Sequence, residues 1–121
     1  MKTLLIITIF FFTTTAYAKS ERYYQEKWCE EMGGQLEVVL EDGSRCDCLL
    51  PNFAVEVDFS KKWAEAIGQT LLYSALTNRC PGILLIADNP KRVKKYVKRI
   101  KKVCKRYNLS IPIWIIYKEV E

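Results

Sequence analysis

Histidine is absent from all 121 residues. Without an imidazole there is no customary base to activate a cysteine, which argues against nucleophilic catalysis by any of the five thiols. Internal repeats, low-complexity tracts and Pro/Gly/Ser-rich linkers are also missing, so one folding unit is expected. Beyond the first dozen residues no stretch is apolar for the roughly 20 residues that a bilayer-spanning helix needs. Acidic residues are missing from Lys91 to Arg106, a run that holds ten lysines and arginines in sixteen positions.

The N-terminus has the pattern of a cleavable leader. Lys2 gives it a positive start, Leu4 to Phe12 is apolar apart from Thr8, and Ala16-Tyr17-Ala18 fits a small-x-small cleavage site. Residues 1–18 are therefore expected to be a signal peptide, and residues 19–121 a single domain working outside the cytoplasm, periplasmic or secreted. No cysteine follows the cleavage point to carry a lipid, and no stable membrane insertion is expected afterwards.

All five cysteines (Cys29, Cys46, Cys48, Cys80 and Cys104) fall in the expected mature part. In an oxidising compartment, and with no histidine to complete a metal site, disulfides are the expected use. An odd count leaves one thiol over. Charge is divided: Lys19 to Glu65 carries a net −5, and Ala66 to Glu121 a net +9. An acidic half and a basic half in one domain suit a site that holds a cation and receives an anion.

Hydrophobic periodicity gives the element order. Glu21 to Met32 reads as a helix with Tyr24, Trp28, Cys29 and Met32 on one side, ended by Gly33-Gly34. Gln35 to Leu40 alternates as a strand, Asp42-Gly43 signals a hairpin, and Arg45 to Leu50 returns. After Pro51-Asn52, Phe53 to Phe59 forms a third strand with Phe53, Val55, Val57 and Phe59 inward. Ser60 suits the N-cap of a helix to about Asn78, with Ala64, Ile67, Leu71 and Ala75 as its apolar face. Pro81-Gly82 breaks that helix, and Ile83 to Ala87 is a buried strand. Asn89-Pro90 opens a helix with a Val93, Val97, Ile100, Cys104 and Tyr107 stripe, and Ile111 to Tyr117 is the last strand. The order α-β-β-β-α-β-α-β predicts an α/β fold, a mixed sheet flanked by helices.

Strand alternation also predicts where charges meet. Glu56 and Asp58 share the face opposite Val55 and Val57, and Asp47 points away from Cys46 and Cys48. A four-residue connection over Leu50 to Phe53 sets Leu49 opposite Ala54 and Asp47 opposite Glu56. Three carboxylates then share one patch, which like-charge repulsion disfavours unless it is solvated or neutralised. Mg²⁺ or Mn²⁺ would suit it, since a hard cation takes one or two carboxylates and fills its shell with water and phosphate. On the next helix Lys62, Glu65, Gln69 and Tyr73 lie along one stripe, and Lys62 could reach back to the patch.

The run Asp47-Cys48-Leu49 with Glu56-Val57-Asp58-Phe59, Lys62-Trp63, Glu65-Ala66-Ile67-Gly68-Gln69 and Tyr73 resembles the PD-(D/E)XK nuclease superfamily. It is most similar to small exported bacterial proteins with an EVDFxxKWxEAIGQ signature. The resemblance implies the restriction-endonuclease-like α-β-β-β-α-β core. It implies Asp47 and Glu56 as metal-binding acids, with Asp58 assisting, and Gln69 and Tyr73 as the Q-x-x-x-Y element that positions nucleic acid. The superfamily lysine stands two residues after the second acid, where this chain has Asp58. Some members carry it on the following helix, and Lys62 takes that place. If Lys62 does not reach the site, the protein binds nucleic acid or metal without cutting.

The basic run supplies the substrate-gathering surface of this reading, with Lys94, Lys95, Lys98, Lys101 and Lys102 neutralising phosphates. The same surface suits another polyanion or an anionic membrane surface. Cys29 is expected to pair with Cys48 and Cys104 with Cys80, leaving Cys46 spare, although spacing alone does not set connectivity. Three functions follow: an exported metal-dependent nuclease, an inactive relative that binds nucleic acid or another polyanion, and a secreted interaction module.

Overall fold

The computed structural model describes residues 8–9 and 18–119. The expected signal peptide lies almost wholly outside the described residues. Helix α1 spans Glu21–Glu31, with the Ser20 side chain accepting from Tyr23 N at 3.3 Å. Strands β1 (Gln35–Val39) and β2 (Arg45–Leu49) form an antiparallel hairpin, its turn made by Gly43 at φ 89°. Strand β3 is Phe53–Phe59. A 3-10 turn, Ser60–Lys62, leads into α2, Trp63–Thr77. Strand β4 is Cys80–Ala87, α3 is Pro90–Tyr107 and β5 is Ile113–Tyr117.

The five strands form one sheet in sequence order, antiparallel from β1 to β3 and parallel from β3 to β5. This is the expected α/β architecture. Helices α2 and α3 connect the parallel strands and pack on one face, where Ala66, Ile67, Val93 and Ile100 meet Ile83 and Leu85. Helix α1 covers the other face, where Tyr24 and Trp28 meet Val55, Val57, Leu84 and Ile86. Strands β3 and β4 are thus buried on both faces; Ile83 to Ala87 of β4 is an uninterrupted apolar run, as such a position requires, whereas β3 carries Glu56 and Asp58. No helix among the described residues is long and apolar enough to cross a membrane.

Cys29 and Cys48 form a disulfide that ties α1 to β2. Gly34 makes room for it: a Cβ there would lie 2.6 Å from Cys48 Sγ and 2.8 Å from Cys29 Sγ. The expected Cys80–Cys104 bridge is not formed; both are free thiols, as is the buried Cys46. Strand β4 starts three residues earlier than Ile83, so Cys80 is held in the sheet beside Phe53, its N–H donating to Asn52 O at 3.0 Å. Pro81 and Gly82 belong to that strand rather than to a helix stop.

The second helix also departs from expectation. Ser60 opens the 3-10 turn instead of capping α2, and Ala64 and Ala75 are exposed. The inward face is Ala66, Ile67, Thr70 and Tyr73. Thr70 Oγ1 lies 2.9 Å from both Ala54 O and Gly82 O and accepts from Gly82 N at 2.8 Å, so a polar residue fixes the helix across β3 and β4. Tyr107, expected on the apolar stripe of α3, is exposed, as is Met32 beyond α1.

Candidate active site at the β2–β3 fork

Strands β2 and β3 pair at Cys48–Val55 and Leu49–Ala54, the expected register, and then part. Where the next pair would join Asp47 to Glu56, Asp47 Oδ2 accepts from Val57 N at 2.7 Å. A side chain thereby takes the place of a ladder bond and holds the strands open as a fork. Strand β1 is deformed at the same level: Glu37 has φ 52°, a left-handed conformation costly for a residue with a Cβ. Gln25, buried on α1, braces the distortion through Nε2, which donates to Asp47 O at 2.9 Å and Glu37 Oε1 at 3.1 Å.

This irregularity overturns one expectation. Cys46 and Cys48 do not share a face: Cys48 joins the α1 layer, while Cys46 packs with Leu49, Ala54 and Tyr73 beneath α2. Burial pushes the Cys46 thiol up to about 11, which keeps it protonated and unreactive at neutral pH.

Carboxylates converge in the fork. Glu56 is 4% exposed and Asp58 5%, and Glu56 Oε2 and Asp58 Oδ2 are buried without a hydrogen-bond partner. Burial, then Asp47, then Asp58 hold the Glu56 carboxyl well above its ordinary range. Burial raises Asp58 and Asp47 as well; for Asp58, Lys62 works in the opposite direction. Orphaned charge in a low-dielectric site is costly, so the cluster calls for either protons or a cation.

Glu21, in the first turn of α1, completes the cluster and was not anticipated. Burial and then the charges of Asp58 and Asp47 raise it from 4.5 to about 7. Its acidic side chain at a helix start was visible in the sequence, but its approach to β3 depends on how α1 crosses the sheet. Tyr73 is buried rather than on the exposed stripe; burial, then Glu56 and Asp47, push its phenol above its ordinary range. Lys62, Glu65 and Gln69 are exposed. Lys62 acts on the site by charge alone, with no ion pair to the fork among the described residues.

Among the described residues no set of three or more His, Cys, Asp or Glu side chains is arranged to hold a metal ion. The donor chemistry nevertheless fits a hard cation: every candidate ligand is a carboxylate oxygen, and two of these oxygens are buried and unpartnered. Mg²⁺ needs only one or two such ligands, with waters completing its shell.

The basic residues of α3 are not all turned toward this fork. Arg99 lies over the Trp63 ring at 5.6 Å, beside the segment that carries Lys62. Lys94, Lys98 and Lys101 instead line a groove against Ile115 and Tyr117 of β5. Lys95 and Lys102 are exposed on α3.

No protein-family model matches the chain, and no solved structure matches it. It is 29% identical over 100 residues to a protein of Acanthamoeba polyphaga mimivirus that is named for a KilA-N domain. The match covers 80% of this chain and 38% of that relative, so the chain spans well under half the length of the curated protein it matches.

Proposed function

We propose that the protein is a metal-dependent phosphodiesterase acting on nucleic acid, with its chemistry at the β2–β3 fork. The observation that carries this reading is the pair of buried, unpartnered carboxylate oxygens on Glu56 and Asp58, gathered with Asp47 and Glu21 where two strands part. A fold that buries repelling acids without neutralising them gains nothing in stability. Asp47 and Glu56 would hold the cation, Mg²⁺ or Mn²⁺, with Asp58 assisting from beside them. When bound, it would supply positive charge to a phosphodiester oxygen and lower the pKa of a coordinated water.

The chain's own residues have separate tasks in this reading. The Val57 N–H fixes the Asp47 carboxylate, leaving its second oxygen for the site. Lys62 places an exposed ammonium beside Asp58, available to a water or to charge building on the phosphate. Tyr73, buried and kept protonated, presents a neutral phenol to the acid cluster. Gln69 and Arg99, exposed on neighbouring helices, are available to the substrate backbone. Export through the leader at residues 1–18 belongs to the same proposal, and N-terminal sequencing of the secreted product checks it.

A second reading, capture of nucleic acid without cleavage, is favoured by one observation: Asp58 stands where a lysine is usual, and Lys62 is exposed rather than paired. Isothermal titration of Mn²⁺ into the oxidised protein, repeated with Asp47→Asn, tests the cation site directly. Binding in the parent and at least about tenfold loss in the variant is the expected result. Absence of binding in both removes the phosphodiesterase reading. Cleavage assays on DNA and RNA with the cation-loaded protein then separate cutting from capture.

A further inference from the structure

Strand β5 closes the sheet on the side away from the fork. It pairs with β4 alone among the described residues, so its outer N–H and C=O groups have no strand beside them. Its sequence, Ile113-Trp114-Ile115-Ile116-Tyr117, contains no charge and no proline, the usual guards of an open edge. Ile115 is 39% exposed and Tyr117 54%. A groove runs between this edge and α3. Its wider part, about 780 Å³, is lined by Ile100, Cys104, Leu109 and Ile113, and its narrower part, about 460 Å³, by Lys94, Lys98 and Tyr117. The two share Val97, Lys101 and Ile115, so the floor is continuous.

We infer that this groove takes an extended segment of a protein partner in which acidic and apolar residues alternate, added to β5 as a sixth strand. Three features select that occupant. Unpaired edge backbone is satisfied by another backbone and by nothing else of comparable length. Lys94, Lys98 and Lys101 succeed one another at roughly 6 and 4.5 Å along the helix, from a rise of 1.5 Å per residue. Side chains on one face of an added strand recur at roughly 6.8 Å, close enough for acids at alternate positions to meet that row. The intervening apolar residues then lie beside Trp114 and Ile116 on the opposite face.

Other occupants fit less well. A second copy joined β5 to β5 would set two α3 lysine rows side by side, which like-charge repulsion opposes. An acyl chain would fill the floor and leave the edge backbone unpaired. A nucleic-acid strand would neutralise the lysines but leave the edge N–H and C=O groups of β5 without a backbone partner.

The test uses the full chain with its Cys29–Cys48 bridge intact and a fluorescein-labelled peptide, acetyl-Glu-Val-Glu-Ile-Glu-Val-Glu-amide. Saturable binding by anisotropy is expected, together with slower maleimide labelling of Cys104 in the complex. Two proline peptides, one substituted at the central isoleucine and one at the glutamate before it, cover both sets of alternate N–H groups. At least one of these substitutions weakens binding about tenfold or more, because the added strand loses a ladder donor. The pair Lys98→Glu and Lys101→Glu does the same while its melting temperature stays near the parent's. No binding overturns the proposal, and so does parent-like binding of both proline peptides, which would reduce the groove to a charged surface. Protection of Cys104 by an oligothymidylate but not by the peptide, or a chain dimer in sedimentation without peptide, also overturns it. The outcome does not depend on whether the fork binds a cation or cuts.

Discussion

At the β2–β3 fork the protein buries charge, whereas at the β5 edge it exposes apolar surface and leaves charge in water. The fork is braced from three directions: the Cys29–Cys48 bridge behind it, Gln25 beneath it and the Asp47 bond to Val57 N across it. Among the described residues the β5 edge has neither a bridge nor a strand on its outer side; two free thiols line the groove beside it. Repelling carboxylates cannot remain together unless the scaffold resists their separation, so rigidity belongs where the chemistry is proposed. An edge that receives a strand needs only a template and a complementary charge.

The contrast can be broken at the fork first. Glu56→Ala is expected to lower cleavage by about a thousandfold or more, in the range found when a group that holds transition-state charge is removed. Circular dichroism should show the fold intact; full activity in this variant would remove the fork as the site. Next is the brace. Cys29→Ser with Cys48→Ser should cost about 3 kcal/mol in urea unfolding, from the entropy of a loop of about 20 residues. It should reduce cation binding at the fork and leave labelling of Cys104 unchanged.

Protons offer a finer probe of the same contrast. Glu21, Asp47, Glu56 and Asp58 are acids held above their ordinary values. Each contributes its stability in full while protonated in both states, and loses it as pH rises through the folded value. The cation-free protein should therefore lose stability from about pH 4.5 upward and through 7, the value to which Glu21 is pushed. Glu56→Gln should flatten that slope and be the more stable protein at pH 8, by roughly 1–3 kcal/mol. A parent whose melting temperature rises over this window would contradict the buried cluster. The smallest effect belongs to the exposed charges. Lys95→Ala should weaken nucleic-acid binding modestly and lower the salt dependence of log K by about 0.7–0.9, without changing the pH slope.

Much of the fork was legible in the sequence. Alternation of Phe53, Val55, Val57 and Phe59 gave β3 its bounds and put Glu56 and Asp58 on one face, because β-strand period is independent of what packs above. The hairpin length gave Leu49 opposite Ala54, as found, but the next pair, Asp47 with Glu56, does not form because the Asp47 side chain accepts from Val57 N. What escaped was set by contacts distant in sequence or by local strain. Glu37 adopts positive φ with no glycine to signal it, and at the same level of the sheet Cys46 and Cys48 fall in different layers. Ala64 and Ala75 read as core by hydropathy, yet alanine tolerates water, and Thr70 is drawn inside by carbonyls of β3 and β4. The inward face of Cys104 on α3 suggests a bridge to Cys80, but β4 begins at Cys80 and holds it beside Phe53, and both thiols are free.

Gly34 has a consequence for how this chain tolerates change over generations. It touches no carboxylate and carries no chemistry, yet even the methyl of alanine would collide with both sulfurs of the bridge. A substitution there is equivalent to loosening Cys48, the immediate neighbour of Asp47. A Cβ at position 34 would also lie 2.7 Å from Leu50 Cδ2; in a set of related chains, the glycine is therefore released only where the two cysteines and Leu50 change together.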